Sequence, residues 1–247
     1  MNARGTISIL AIAAFLAGTL VGCTINGGGP WVNRAELTGK TTTQARSVDG
    51  FTGIALSGNA HLTVTQGDSF SVAVTTDSGL QSHVNTSVRG QKLEIDQNYS
   101  IAGSSPDVTV TVTMPHLTYL DVSGSSSTTI TQVRGDSLHV SSSGSSDIHV
   151  DAQVRELAVD VAGSGDLELT GTVGSADIAV SGSGRVSGST LAAAIAHVSV
   201  SGSGDVTLRV DTTLDASVVG SGSVNYHGDP VVSSHVSGSG SVQRIRS

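Results

Sequence analysis

The chain has 247 residues, with 12 Lys+Arg against 20 Asp+Glu, one cysteine, and seven aromatics (three Phe, three Tyr, one Trp). A net charge of −8, with Lys40 and Lys92 as the only lysines, argues against nucleic acid or an anionic lipid surface as partner, because both reward clustered cations. A lone cysteine leaves no intrachain disulfide, so an exported domain must be held by packing and hydrogen bonds.

The first predicted element is an export signal. Arg4 leads, an apolar run from Ile7 to Val21 follows, and small residues close it, which is the layout of a secretory signal peptide. The run is shorter than the ~20 residues a membrane-crossing helix needs. Leu20-Val21-Gly22-Cys23 resembles the bacterial lipobox, in which the Cys thiol is acylated and becomes the new N-terminus. The expectation is a signal peptide over 1–22 and a lipidated Cys23 anchoring the protein in a membrane, since each buried methylene contributes ~0.8 kcal/mol. Thr24, rather than an Asp, follows the Cys and favours the outer membrane where a cell has two; the face on which the domain sits is left open. After cleavage 11 Lys+Arg (12 minus Arg4) face 20 Asp+Glu, a net charge of −9.

Residues 23–47 contain Asn-Gly-Gly-Gly-Pro and Thr41-Thr-Thr-Gln, have no apolar period, and are expected to be a flexible tether. From Val48 onward the pattern alternates. Ile54 and Leu56, Leu62 and Val64, Phe70, Val72 and Val74, Leu93 and Ile95, then Val108, Val110, Val112 and Met114 stand at every second position. Such spacing gives strands with one face in a core and one in water. No stretch keeps a helical period for ten residues; Thr190-Leu-Ala-Ala-Ala-Ile-Ala196 comes nearest and is too short to be a helix unaided. The 31 glycines and many serines suggest disorder, but periodic β-branched residues argue for an all-β domain over 48–247.

In the second half one phrase recurs, led by Val122, Val140, Val161, Val180, Val200, Val218 and Val236 and running Val-Ser-Gly-Ser-Gly in its fullest form. The leading valines are 18, 21, 19, 20, 18 and 18 residues apart. A constant period near this length marks a solenoid, in which each coil buries its apolar face by stacking on its neighbours. The expected fold is all-β, a parallel β-helix-like solenoid with rungs of about 18–21 residues, in which valines stack about 4.8 Å apart and glycines make the sharp corners. A sandwich or hairpin meander would also alternate, but gives no reason for a Gly-rich bend at constant spacing.

Phe51-Thr-Gly-Ile-Ala-Leu-Ser-Gly-Asn-Ala-His-Leu-Thr-Val-Thr-Gln-Gly67 resembles the opening of the auto-transporter adhesin head GIN domain. Leu80 to Val88, Leu93-Glu-Ile95 and Val112-Thr-Met-Pro-His-Leu-Thr-Tyr-Leu-Asp-Val-Ser-Gly-Ser125 resemble the middle of that family, and the Val-Ser-Gly-Ser-Gly repeats its tail. The likeness spans roughly 48–243. It implies a right-handed parallel β-helix-like fold in an exported bacterial protein, and brings no catalytic or binding residues with it.

The candidate chemistry is thin. Ser201-Gly-Ser-Gly-Asp-Val206 resembles a calcium-binding nonapeptide, but the period is wrong and only Asp166 and Asp205 keep the acid, where Arg185, Ser223 and Ser241 replace it. One carboxylate per turn falls short of the six to eight oxygens calcium takes. Paired acids for polysaccharide cleavage are sought among Asp147, Glu156, Asp166, Glu168 and Asp205, of which Asp147, Asp166 and Asp205 are spaced to stack along the solenoid. The default for all of these is a solvated turn acid. His61, His83, His116, His139, His149, His197, His227 and His235 show no short ligand spacing, so no metal or other cofactor is expected. No Gly-x-Ser-x-Gly elbow leads into a helix, and the glycine repeats lack the helix a phosphate cradle requires. The expectation is a non-enzymatic cell-envelope lipoprotein, an adhesin or structural solenoid, whose partner is a glycan, an envelope protein or copies of itself. The alternative is a polysaccharide lyase or hydrolase built on a β-helix.

Overall fold

Alternating apolar residues and glycine corners together make a coil that closes on itself and then repeats. The computed structural model describes residues 35–99 and 107–246, so the expected signal peptide 1–22 and the lipidated Cys23 lie outside the described residues. Sixteen strands and no helix are found among the described residues, all within a compact unit, Asn33–Ser247, that contains the whole described core. The chain winds as a parallel β-solenoid of about seven turns.

The regular part is built from β9 (Ser127–Gly144), β10 (Asp147–Gly163), β11 (Asp166–Gly182), β12 (Arg185–Gly202) and β13 (Asp205–Gly220). Each bends around one coil and pairs in parallel with the next along nearly its full length. The would-be helix at Thr190–Ala196 is part of β12, because its neighbours on both sides offer strand edges. Inward side chains form columns: Leu138, Leu157, Ala176, Ala196 and Leu214 stack on one wall, each 2 % exposed or less. Stacking like on like fills the interior without the interdigitation of two separate sheets.

The Val-Ser-Gly-Ser-Gly phrase has a steric origin. Its first glycine turns the corner with positive φ, +137° at Gly163, and there a Cβ would lie 2.3 Å from the carbonyl oxygen of Gly144 one coil below. Its second glycine lies over the preceding coil's valine: a Cβ on Gly184 would come 2.7 Å from Cγ1 of Val161. In the later coils, from Val161 to Val218, each inward valine is thus met by a glycine above it. The corner glycines Gly124, Gly144, Gly163, Gly182, Gly202, Gly220 and Gly238 pair in register, which makes the coils 20, 19, 19, 20, 18 and 18 residues long. The phase taken from Val140 is thus corrected by two residues: Val140 pairs with Leu120, and the partner of Val122 is Ser142. That buried serine bonds Ser146 at 2.8 Å, and Ser146 occupies the place of the second glycine. In this coil a hydroxyl pair replaces the valine and glycine.

Toward the other end the chain leaves its sequential order. β2 (Gly53–Gly58) and β3 (His61–Gln66) form a coil that pairs on one side with β8 (Tyr119–Gly124) and β9. On its other side lie β6 (Lys92–Gln97) and β7 (Thr109–Met114), which come later in the chain. Beyond them β4 (Ser71–Asp77) and β5 (Val84–Arg89) add antiparallel to β7 and β6, and β1 (Thr41–Arg46) adds antiparallel to β4. The end is closed by Leu80, which is fully buried, and by Gln81, whose Nε2 donates to Thr42 O at 2.7 Å and Val74 O at 3.1 Å. Arg46 Nη2 in turn donates to Gln81 O at 2.8 Å.

The expected tether 23–47 therefore stops short of its predicted end, since 41–46 is an edge strand. Its side chains are exposed, so apolar alternation had nothing to mark; backbone pairing and Gln81 hold it. Asp77 adds a clamp, accepting from the backbone N–H of Thr38 (3.0 Å), Gly39 (2.8 Å) and Gly79 (2.8 Å) and from the Thr38 hydroxyl (3.0 Å). At the opposite end β14 (Ser223–His227) carries β16 (Ser241–Arg244), and β13 carries β15 (Val231–Gly238), with nothing stacked on either among the described residues.

Candidate functional site

Since inward positions are filled by short apolar side chains, chemistry can sit only on outward rows, where residues one coil apart become neighbours. The first half of each coil brings Ser127, Asp147, Asp166, Arg185, Asp205 and Ser223 into one row. The three acids singled out in the sequence do share it, but only Asp147 and Asp166 are adjacent; Arg185 stands between Asp166 and Asp205, 3.7 Å from the Asp166 carboxylate. Two residues further along each strand runs a second row, Thr129, His149, Glu168 and Ser187, in which His149 Nδ1 lies 3.3 Å from Glu168 Oε2.

These two rows line an open trough of about 430 Å³ across four coils. Its charged side chains are well exposed, 62 % for Asp166, 64 % for Glu168 and 63 % for Arg185. At such exposure an ion pair contributes about 0–1 kcal/mol, so the pairs do little for the fold and remain free to exchange partners with a ligand. The trough offers carboxylates, a guanidinium, an imidazole and the hydroxyls of Ser127, Thr129 and Ser187 at the strand spacing of about 4.8 Å. Among the described residues no three His, Cys, Asp or Glu side chains come together as a metal-holding set. Of the other acids considered for polysaccharide cleavage, Asp205 lies one coil beyond the trough and Glu156, further along β10, is not part of it.

The second half of each coil carries a different column. Lys92 Nζ lies 4.4 Å from the centroid of the Tyr119 ring, the His139 ring lies 5.2 Å beyond, and His139 Nε2 reaches Asp160 at 3.1 Å. Burial first, and the Asp121 carboxylate second, push the Tyr119 phenol above its ordinary value. Here cation, ring and imidazole satisfy one another, which leaves less for a ligand than the trough does.

Sequence reasoning missed the cross-coil ion pairs. The signal was present in the spacing: His149 to Glu168, Asp166 to Arg185 and Asp136 to Arg155 are each 19 residues apart, and His139 to Asp160 is 21.

Against known proteins, residues 50–230 match the family model described as putative auto-transporter adhesin, head GIN domain. None of the curated proteins matches this chain. Among solved structures, a putative lipid binding protein from Parabacteroides distasonis is 25% identical with a TM-score of 0.73, over 87% of this chain and 100% of its own. A putative adhesin from Bacteroides fragilis is 23% identical with a TM-score of 0.80, over 83% of this chain and 97% of its own. A putative adhesin from Parabacteroides merdae is 18% identical with a TM-score of 0.70, over 87% of this chain and 100% of its own. The last two share the fold.

Proposed function

Because this chain belongs to the family of the putative auto-transporter adhesin head GIN domain, we propose that it is a non-enzymatic cell-envelope lipoprotein that binds a polysaccharide along the trough. The observation that carries the reading is the trough itself. Each of its four coils presents two outward polar residues, Ser127 and Thr129, Asp147 and His149, Asp166 and Glu168, then Arg185 and Ser187, and the exposed charge pairs among them contribute little to stability. A flexible polymer pays its ordering entropy against many simultaneous contacts, and outward polar groups set at the strand spacing supply them. The adhesin names of the structural neighbours support an envelope location and a binding role. Cys23, in its lipobox-like setting, is the residue that would carry the anchor.

The test is titration of the Asn33–Ser247 unit with neutral, acidic and amino polysaccharides. Saturable binding to one of them, weakened about tenfold by Arg185→Ala and by Glu168→Gln but unchanged by Tyr119→Phe, is expected. Binding that ignores the trough variants, or release of shorter oligosaccharides that stops with Asp166→Ala, would overturn the reading. Separately, mass spectrometry of the membrane fraction is expected to find acyl chains on Cys23 and none on a Cys23→Ala variant.

A further inference from the structure

The terminal coil breaks the rule that governs the rest of the solenoid. Val232 stacks on Leu214 and Val236 on Val218, and both lower residues are fully buried. Yet Val232 is 37 % exposed and Val236 40 %, and their neighbour Val231 is 77 % exposed. The columns of the core thus run out into open space. Among the described residues the strand that carries them, Val231-Val-Ser-Ser-His-Val-Ser-Gly238, pairs with β13 alone, and its outer row of backbone N–H and C=O groups has no strand partner there.

Exposed edges are ordinarily protected by Lys, Pro, inward charges or bulges. This one has none of these in its eight residues; Pro230 stands just before it, and Asp229 before that is neutralised by Arg244 at 3.0 Å. The contrast with β1 is direct, since β1 ends in Arg46 and lies beside the Gln81 plug.

We propose that this end docks a second copy of the chain, tail to tail, by antiparallel pairing of the two β15 strands about a two-fold axis at Ser234. The argument for this occupant is self-complementarity. The inward residues, Val232, Ser234 and Val236, read the same in both directions. In an antiparallel pair, residues directly opposite each other point to the same face, so an inward residue must meet an inward one. Centring on Ser234 sets Val232 against Val236 of the second copy and Ser234 against its own mate. Shifting by one residue would put Val232 opposite an outward residue, Ser237 or His235, and shifting by two would put it opposite Gly238 or Ser234. Centring on Ser234 is thus the register within β15 that continues the core columns and sets both inward valines on valines, and a two-fold mate offers it without further design. The proposal is independent of the trough, which lies on other coils.

The test uses the Asn33–Ser247 unit, a self-contained core without cysteine. Sedimentation across a concentration series is expected to show a monomer–dimer equilibrium, weakened about tenfold or more by Val236→Lys, which puts a charge on the inward edge. Ser234→Cys is expected to form a covalent dimer on mild oxidation much faster than Ser217→Cys, one coil below on an outward position. A monomer at every concentration, equal crosslinking of the two cysteine variants, or a pairing that requires a different protein or a lipid vesicle would overturn the proposal.

Discussion

The two ends of this solenoid solve the same problem differently. A stack of identical coils has no internal reason to stop, and each end leaves a bare apolar face and a free strand edge. At the β1 end the chain stops the stack with antiparallel strands, the buried Leu80, and polar groups that satisfy one another, Gln81 with Thr42 and Val74 and Asp77 with the 38–39 backbone. At the β15 end it lays down one more coil of the same pattern and leaves it uncovered among the described residues. Capping is therefore a matter of sequence that departs from the repeat, and a repeat continued faithfully to its last described coil leaves that coil open.

The largest expected effect tests that contrast by truncating one apolar residue at each end. Leu80→Ala is expected to lower unfolding free energy by about 2–5 kcal/mol, whereas Val232→Ala, already partly in water, costs less than about 1 kcal/mol in the monomer. Urea melts at low protein concentration decide it; equal losses would dissolve the distinction between the ends.

Next is the serine pair that interrupts the repeat. Ser142→Val alone leaves the Ser146 hydroxyl buried without its partner and is expected to cost about 1–3 kcal/mol. Ser142→Val with Ser146→Gly removes both hydroxyls and is expected to return stability to within about 1 kcal/mol of the parent. A double variant no better than the single would mean that the orphaned hydroxyl is not what the single variant costs.

The Asp77 clamp gives a local and pH-dependent effect. Its carboxylate is held below the ordinary range, first by the Thr38 backbone N–H and then by its other donors, with burial opposing. A lowered folded value means the clamp contributes fully above the unfolded carboxylate range and loses its contribution as pH falls through the folded value. Hydrogen exchange of β1 is expected to quicken as the solution is acidified into and below that range, and an Asp77→Ala variant to exchange fast at every pH. Unchanged exchange in the variant would mean that β1 is held by pairing alone.

The smallest effect is the one the functional reading needs. Arg185→Ala is expected to change stability by no more than about 0.5 kcal/mol by thermal melt, because its pairing with Asp166 is solvent-exposed. A larger loss would make the trough charges structural.

Much of this architecture was legible in the chain because the solenoid writes its period into its corners. A glycine forced by a neighbouring carbonyl, as at Gly163, recurs wherever that contact recurs. The acid row was also visible, since residues one period apart must be neighbours. What escaped has physical causes. The phase slipped at Val140 because valine occupies several inward places, and the residue that does mark the coil there is a serine. The strand Thr41–Arg46 escaped because it has no buried face. The placing of β6 and β7 before β2 escaped because all these strands alternate alike, so pattern alone does not give their order.

That displaced coil has a consequence for how the chain acquires its shape. The β2–β3 turn lies between partners that follow it in the sequence, so it is completed only after residues up to Met114 on one side and β9 on the other have arrived. Loop closure over such separations is slow compared with adding a coil to an existing edge. A polypeptide delivered amino end first would hold β2 and β3 without these partners until they arrive, and then lengthen rung by rung without further delay. Nucleation belongs to the irregular end, and growth to the monotonous one.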